Sequence, residues 1–549
     1  MRLSECKNIN DLAACLGYSP KSLAYVVYGI PDAVRYKTFQ IPKKNGGTRK
    51  ITAPCAKILR LQRKIYDEIL LEISDFEVKH KVIFAPSAHG FVKGRSTFTN
   101  AAAHPRSKYI INLDLSDFFE TINFGRVKGV LENNPYFKLH PEISKVIAHA
   151  CCYKGVLPQG APTSPVISNL VGRILDRNLK AFSKRNRLKY TRYADDITFS
   201  TRMVRLPRSV AVRGFFRRHK WRPGRELKAR IKKLGFRINQ TKFRVQITGS
   251  KQEITGLNVT DKPTVPLIYR KKLRAQIENY LKTGSYFDQK DSSGSAAILT
   301  SPEPLIGKYS YVYQIYKYRN QKYNKEISST FLSMGQKLFL AAHFFHRDDP
   351  LVFTEGKTDV IYLKYAIKSL KYKGYFEDLD VKLFRYTKIK ASALKFQEGF
   401  QGQFEAIGIL KKFRDMHSIS FKSPIIFVID NDSAAKAFNS QQGNLAKPDV
   451  PKRLSPLCTK LFEGVYVVLT PLNGSKEACI EDLFPKSVLE ATVNGKPFDP
   501  NKKDKDETKV GKAVFATEVV EKQWKSISFD AFESLLAAIN EAVQDFAKS

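Results

Sequence analysis

The chain has 549 residues, and its 93 Lys and Arg against 52 Asp and Glu leave a formal charge of +41. That length exceeds one hydrophobic core and predicts roughly three to four domains. The charge surplus implies a polyanionic partner, nucleic acid first and an anionic membrane surface second. No apolar run is long enough to span a bilayer, and the N-terminal MRLSECKNINDLAAC lacks the apolar core of a signal peptide. Seven cysteines without a C-x-x-C pair fit neither a disulfide framework nor a zinc ribbon, so a cytosolic protein with reduced thiols and no membrane partner is expected.

Residues 5–30 carry helical spacing in two blocks split by Gly17-Tyr18-Ser19-Pro20, which predicts two short helices. A DNA-reading helix-turn-helix and a plain packing pair look alike at this level. FQIPKKNGGTRKITAP (39–54) predicts a β-hairpin with a basic tip at Asn45-Gly46-Gly47. Between 107 and 200 the strand-like runs KYIINLDL and YTRYADDITFS bracket a long helical region, an α+β arrangement without internal repeats. Residues 201–233 are dense in Arg and Lys and include Phe215, Phe216 and Trp221, a mixture suited to gripping a nucleic-acid backbone and stacking bases; a solvated basic helix is the bland alternative. DQKDSSGSAAILTSPEPL (288–305) reads as a loop before a helical segment ending near Leu340. From Pro350 onward short hydrophobic runs (LVFTEG, SPIIFVIDND, GVYVVLTPL) alternate with helical segments, which predicts a parallel α/β sheet with ligands at the carboxyl ends of its strands. FDPNKKDKDETKVGK (498–512) reads as an exposed loop.

Two carboxylates side by side, Asp195 and Asp196, sit where YADDITFS reads as a hairpin tip; alone they are a solvated turn. A third carboxylate, Asp114, closes the apolar run IINLD in the position of a strand's last residue. Three acids on neighbouring strands could hold two magnesium ions, activate a sugar hydroxyl and neutralise a leaving pyrophosphate. Between them LPQGAPTSPVISNL (157–170) forms a loop entering a helix, where Gly160 lets backbone approach a nucleotide; a helix cap has the same look.

In order, IPKKNGGTRKI, NLDLSDFFETI, LPQGAPTSPVISNL, YADDITFS and GFRINQTKFRV resemble the sequential motifs of reverse transcriptases over roughly the first 340 residues. The resemblance implies a right-hand polymerase, with fingers and palm in 1–260 (the small helical element in 5–30) and a thumb in 261–340. It implies Asp114, Asp195 and Asp196 as catalytic magnesium ligands, and Lys43 and Arg49 as contacts to the incoming triphosphate. Phe119 would stand under the sugar and select deoxynucleotides, Gln159 would lie against the nucleotide and template, and Lys242 would protonate pyrophosphate. Asn100-Ala101-Ala102-Ala103-His104 resembles the NAxxH element of bacterial retron enzymes, and Ile254-Thr255-Gly256 is close to their VTG element. By that resemblance Asn100, His104, Ile254, Thr255 and Gly256 bind a cognate structured noncoding RNA; read from the residues alone, His104 is a structural histidine. The enzyme would prime from an internal guanosine 2′ hydroxyl and make branched, RNA-linked single-stranded DNA from dNTPs.

Further on, Glu355 and Asp359 in LVFTEGKTD and Asp430 and Asp432 in SPIIFVIDND resemble the EGxxD and DxD signatures of the Toprim fold, covering most of 345–549. The resemblance implies an α/β Toprim domain with a parallel sheet at 341–549, whose acids hold one or two magnesium ions and cut DNA or RNA. Glu481 in ACIEDLFP looks like a later ligand of the overcoming-lysogenisation-defect nuclease branch, and equally like a helix-start acid. The combination predicts a bacterial retron reverse transcriptase fused to a nuclease effector, an antiphage toxin-type system held in check by its RNA and DNA. Two alternatives stay open. Ser433-Ala434-Ala435-Lys436 lacks the glycine common after the DxD, which leaves a catalytically silent Toprim binding module, and a mobile-element enzyme of the group II intron type is the other. A homo-oligomer stays open too.

Overall fold

The computed structural model describes residues 1–42, 47–214, 221–290, 296–385, 399–433, 435, 436, 438, 449–493, 495–500 and 508–548. Two compact units divide the chain, Met1–Leu267 and Ile268–Ser549.

The first unit begins with α1 (Ile9–Leu16) and α2 (Pro20–Ala24), the expected pair, separated where Gly17 takes φ +63° and closes α1 in the left-handed conformation. After the short α3 (Asp32–Arg35), β1 (Tyr36–Pro42) and β2 (Thr48–Pro54) pair antiparallel from Tyr36↔Pro54 to Pro42↔Thr48. This is the expected basic hairpin; its tip, with Lys43, lies outside the described residues. Next come α4 (Ala56–His80), α5 (Thr97–Ala101), β3 (Tyr109–Asp114), α6 (Phe124–Asn133), α7 (Pro141–Cys151) and α8 (Ser164–Arg185). Pro165 in the first turn of α8 is pre-organised for a helix start. The buried seam Val166, Ile167, Leu170, Leu175, Leu179 and Phe182 recurs at three- and four-residue steps and lays the helix on the sheet core.

β4 (Lys189–Tyr193) and β5 (Asp196–Thr201) form a hairpin, followed by the small hairpin β6 (Ala211–Arg213)/β7 (Trp221–Pro223), α9 (Arg225–Lys233), β8 (Arg244–Ile247), β9 (Glu253–Ile254) and β10 (Leu257–Asn258). The central sheet has the antiparallel order β4-β5-β3-β8. Ile110 and Ile111 of β3 are both fully buried although they point to opposite faces, so this strand is covered on both sides.

The second unit opens with α10 (Leu267–Thr283). The stretch read as a loop at 288–305 instead contributes to a hairpin, β11 (Tyr286–Lys290) and β12 (Ala296–Leu299). Its Ser/Gly-rich centre is only the connection, and the flanking Tyr286, Phe287, Ile298 and Leu299 supply the strand-forming side chains. Helices α11 (Glu303–Tyr323) and α12 (Ser329–Leu340) follow.

Then β13 (Leu351–Phe353), α13 (Asp359–Tyr372), β14 (Lys382–Leu383), α14 (Phe400–His417), β15 (Ile425–Ile429), β16 (Lys452–Arg453), β17 (Cys458–Phe462), β18 (Val465–Leu469) and α15 (Glu533–Lys548) build one sheet and its covering helices. The strand order is β14-β13-β15-β18-β17-β16; the first four are mutually parallel, and β17 pairs antiparallel with both β18 and β16. β15, IIFVI, is buried at every residue, as a strand covered on both faces must be. Ile426, Val428, Tyr466 and Val468 meet Leu363 and Ala366 of α13 and Leu535, Leu536 and Ile539 of α15 in one core. Among the described residues no helix is long and apolar enough to cross a membrane.

Candidate functional site

The adjacent aspartates are built by a two-residue turn. Tyr193 pairs with Asp196, so Ala194 and Asp195 make the turn and Asp196 starts β5. Ala194 takes φ +56°, a conformation that disfavours a side chain. Its surroundings hold it there. Arg192 Nη1 donates to the Ala194 carbonyl at 3.1 Å, and a Cβ on Gly90 would stand 2.7 Å from the Ala194 nitrogen, so only glycine lets that strand end approach. Arg192 is fully buried and bidentate to Asp176 of α8, Nε to Oδ1 at 2.7 Å and Nη2 to Oδ2 at 2.9 Å, while Tyr190 Oη donates to Asp176 Oδ1 at 2.7 Å. Burial opposes the guanidinium charge, but Asp176 outweighs it and holds Arg192 above its ordinary value.

Asp114 ends β3 directly opposite Asp196, so the sheet register itself brings the first acid to the other two. The Leu115 N–H donates to the Asp195 carbonyl at 3.1 Å. Burial, then the charge of Asp114, pushes the Asp195 carboxyl up; burial followed by the Asp195 and Asp114 charges pushes Asp196 up to about 7. Lys242 Nζ lies 2.9 Å from Asp114 Oδ2, and that hydrogen bond raises the ammonium above its usual range.

The three aspartates line a cavity of about 560 Å³ together with Arg49, Phe119, Gln159 and Lys242. Every site residue expected for the nucleotide is therefore in one place, except Lys43, which is not described. Gly160, at φ +124°, lets the 157–163 loop lie against β2: a Cβ there would meet Ile51 Cγ2 and the Thr52 carbonyl oxygen at 3.0 Å, and the Thr52 N–H donates to the Gln159 carbonyl at 2.6 Å. A second opening of about 710 Å³ flanks the same acids and is lined by Asp114, Asp196, Lys242, Thr255 and Gly256.

Thr255 (φ +46°) and Gly256 (φ +82°) are the two turn residues between the paired Ile254 and Leu257. Thr255 Oγ1 donates to the Thr97 carbonyl of α5 at 3.3 Å, so the ITG turn and the helix carrying Asn100 touch. Asn100 is fully buried, Ile254 likewise, and His104 is 1% exposed, with Nδ1 at 2.7 Å from Ser200 Oγ and Nε2 at 2.7 Å from Thr191 Oγ1. His104 thus clamps α5 to β4 and β5, the structural role the residues alone suggest, and only Thr255 and Gly256 of the five reach an opening. Burial, then Lys189 and His89, lowers the His104 imidazole to about 3.

In the second unit, Glu355 follows β13 and Asp430 follows the adjacent parallel β15. The Asp430 N–H donates to Glu355 Oε1 at 3.1 Å, and Asp430 Oδ1 accepts from the Ile480 N–H at 3.0 Å and Thr470 Oγ1 at 3.2 Å. Asp359 Oδ2 accepts the Gly356 N–H at 2.7 Å, and Lys512 Nζ lies 2.9 Å from Glu481 Oε1. Burial, then Asp432 and Asp359 against the Asp430 amide, pushes Glu355 up to about 7; burial, then Glu355, Asp359 and Glu481, does the same to Asp430. Glu355, Asp359, Asp430 and Glu481 therefore share one neighbourhood at the carboxyl ends of the parallel strands, and Asp432 is close enough for its charge to act on Glu355. Among the described residues no three His, Cys, Asp or Glu side chains already converge on one metal position. The donors at both centres are nonetheless all carboxylate oxygens, the set that suits a hard divalent cation.

Sequence reasoning missed Arg192, Asp176, Tyr190, Gly90 and Lys512. The only signal was an acid, Asp176, placed beside Leu175 and one turn before Leu179 in the buried seam of α8.

The family described as "Reverse transcriptase (RNA-dependent DNA polymerase)" matches residues 41–260. The chain is 32% identical over 338 residues to the "Retron Mx162 reverse transcriptase" of Myxococcus xanthus, covering 56% of this chain and 66% of the relative. It is 35% identical over 290 residues to the "Retron Mx65 reverse transcriptase" of the same organism, covering 49% and 61%. With the "Retron Ec86 reverse transcriptase" of Escherichia coli it shares 30% identity over 275 residues, 50% of this chain and 78% of the relative. The chain thus spans somewhat under two thirds of the two Myxococcus relatives and over three quarters of the Escherichia one. With this similarity running through the segment whose three aspartates meet in one cavity, the chain belongs to the retron reverse transcriptases.

Proposed function

We propose that the protein is an RNA-directed DNA polymerase that copies a cognate noncoding RNA into branched, RNA-linked single-stranded DNA. The observation that carries this reading is the meeting of Asp114, Asp195 and Asp196 with Arg49, Phe119, Gln159 and Lys242 in one cavity. Asp114, Asp195 and Asp196 are the residues to hold magnesium, which supplies charge neutralisation at the reacting phosphate. Arg49, with Lys43 from the same hairpin, grips the triphosphate; Phe119 excludes a 2′ hydroxyl; Gln159 packs against nucleotide and template; Lys242 delivers a proton to the leaving pyrophosphate. Asn100 and His104 act by fixing α5 beneath the ITG turn, and Thr255 and Gly256 meet the RNA.

The test is to purify the protein from cells carrying its native upstream locus and to run the bound nucleic acid on a denaturing gel before and after RNase and debranching enzyme. A discrete DNA band that shifts with both treatments is expected. RNA alone, or no discrete DNA, sinks the retron product, and Asp195→Asn must abolish the band.

A second reading concerns the second centre, favoured by the Asp430 amide bonded to Glu355 at adjacent strand ends. We infer a magnesium-dependent Toprim nuclease in which Glu355, Asp430 and Asp432 carry the chemistry, Asp359 and Glu481 complete the ligand set, and the fused effector serves antiphage defence. Incubation with magnesium and mixed DNA and RNA, wild type against Asp430→Ala, discriminates it from a silent binding module: equal cutting, or none by either, leaves the module.

A further inference from the structure

The segment 201–233, where base stacking is expected from the sequence, carries one aromatic ring of the three among the described residues. That ring, Trp221, packs against the core with the Arg213 guanidinium 5.0 Å from its centre, while Phe215 and Phe216 lie outside the described residues. Open rings stand elsewhere in the first unit. A cavity of about 500 Å³, sharing no lining residue with the two openings at the aspartates, is walled by the rings of Tyr28, Phe124, His149 and Tyr153.

Each ring is fixed by a different piece of the chain. In the helical turn Tyr25–Gly29, Val26 and Val27 are buried, which leaves Tyr28 outside and 50% exposed. Its ring stands 4.9 Å from that of His149 on α7 at a tilt of 42°, so the two diverge instead of covering each other. Tyr153 is backed by Tyr36 of β1, ring centres 4.4 Å apart. Phe124 opens α6, and its N–H donates to the Gly155 carbonyl at 2.9 Å, tying that wall to the turn beside Tyr153. Burial, then Arg35, lowers the His149 imidazole, which stands as an uncharged ring at neutral pH.

Cations complete the lining. Arg35 is 4% exposed, and its Nη1 donates to the Val27 carbonyl at 2.7 Å, so a buried charge is pinned to the turn that carries Tyr28. Asp32, the one acid of the lining, lies 3.9 Å from Arg35 Nε. Lys145 precedes His149 by one turn of α7. Lys154 rides on a two-residue turn, itself at φ +49° with Gly155 at φ +76°, closed by the pairing of Tyr153 with Val156. Both lysines are exposed, so three cations face one acid.

Rings without cations would take any flat apolar molecule, and cations without rings would take any phosphate. The conjunction selects a flat aromatic group joined to an anion, which is the chemistry of a nucleotide, and the volume suits one. That nucleotide is unpaired, because a base inside a double helix has both faces covered by its neighbours and cannot enter a cavity. Gly155 is four residues from Gln159 of the polymerase cavity, a span of at most about 14 Å, so a strand held at one cavity can reach the other.

We propose that this cavity is a nucleotide subsite outside the polymerase centre, taking one unpaired nucleotide with its base against Tyr28 and Tyr153 and its phosphate on Lys145 and Lys154. A free nucleotide and a nucleotide within a single strand present the same chemistry.

The test irradiates the full chain, freed of bound nucleic acid, with three probes: 5-iodouridine monophosphate, a short single-stranded RNA carrying one 5-iodouridine, and the same RNA paired in a duplex. Irradiation joins iodouridine to an aromatic side chain stacked on it, and mass spectrometry maps the adducts. An adduct on one of the four rings is expected from an unpaired probe. From the monophosphate alone it makes the occupant a free nucleotide; from the RNA it makes the occupant a strand. In Tyr28→Ala the share of all adducts found on the remaining three rings should fall at least about fivefold. Lys145→Gln/Lys154→Gln, which alters exposed side chains only, should lower the share on all four. Absence of adducts on the four rings from both unpaired probes overturns the proposal, as does an equal yield from the duplex or a wild-type share in the double lysine variant. If Tyr28→Ala fails to melt like wild type, the wild-type map and the lysine variant decide.

Discussion

Truncating Asp176 to alanine would strand a guanidinium in the core. Arg192 is fully buried and its two bonds to Asp176, at 2.7 and 2.9 Å, are the reason the charge is tolerated there. Breaking a buried pair from one side costs about 3–5 kcal/mol because the remaining charge has no partner. For a unit of this size each kcal/mol shifts the melting temperature by roughly 2–4 °C, so a fall of about 6–20 °C is expected. The two tryptophans, Trp221 and Trp524, fall one in each compact unit, so Trp524→Phe leaves fluorescence that reports the first unit alone. In that background Asp176→Ala is compared with Asp176→Ala/Arg192→Met. The double variant removes the orphaned charge and should recover a large part of the loss. A drop below about 2 °C, or a double variant no better than the single, would refute the account of how the turn is supported.

Gly90→Ala should lower DNA synthesis more than stability, because the new Cβ would press on the Ala194 nitrogen at 2.7 Å and displace the turn that carries Asp195; primer extension set beside thermal melting checks this. His104 gives a pH dependence of definite sign. Its folded value of about 3 lies below the ordinary 6.5, so the unfolded chain binds the extra proton, and the contribution is complete above pH 6.5 and lost as pH falls toward 3. Between pH 7 and 5 this amounts to about 2 kcal/mol, and His104→Gln should remove that share of the slope in Trp221-detected melting. On the Toprim reading, magnesium at about a hundred times its dissociation constant should raise the stability of the second unit by about 2.7 kcal/mol, read through Trp524 in a Trp221→Phe background. Asp430→Asn should abolish the shift; a shift that survives it places the metal elsewhere.

The clustered aspartates are legible because strand-end acids after apolar runs leave a local mark, as Asp114 after IINL and Asp430 after IIFVI do. The hairpin signals at 39–54 and the helix break at Gly17 were equally local. Asp176 and Arg192 were not legible: an acid on a helix and a base on a strand each look solvated until packing brings α8 against β4. Lys512 sits in a polar stretch and meets Glu481 only through the fold of the second unit. The β11–β12 hairpin escaped because its Ser/Gly-rich centre dominates the composition of a segment whose pairing residues lie at its edges. The contact of Thr255 with Thr97 joins positions 158 residues apart, a distance over which no periodicity speaks.

The pairing of Asp114 with Asp196 on neighbouring strands makes the sheet a ruler for the polymerase centre. Cross-strand partners are held about 4.5–5.5 Å apart by the backbone ladder, with no adjustment from side chains. A slip of one residue would send one carboxylate to the opposite face and break the measurement outright. A copy of the protein folded one rung out of step is thus silent as well as unstable, and fidelity of folding and competence for chemistry are enforced by the same row of hydrogen bonds.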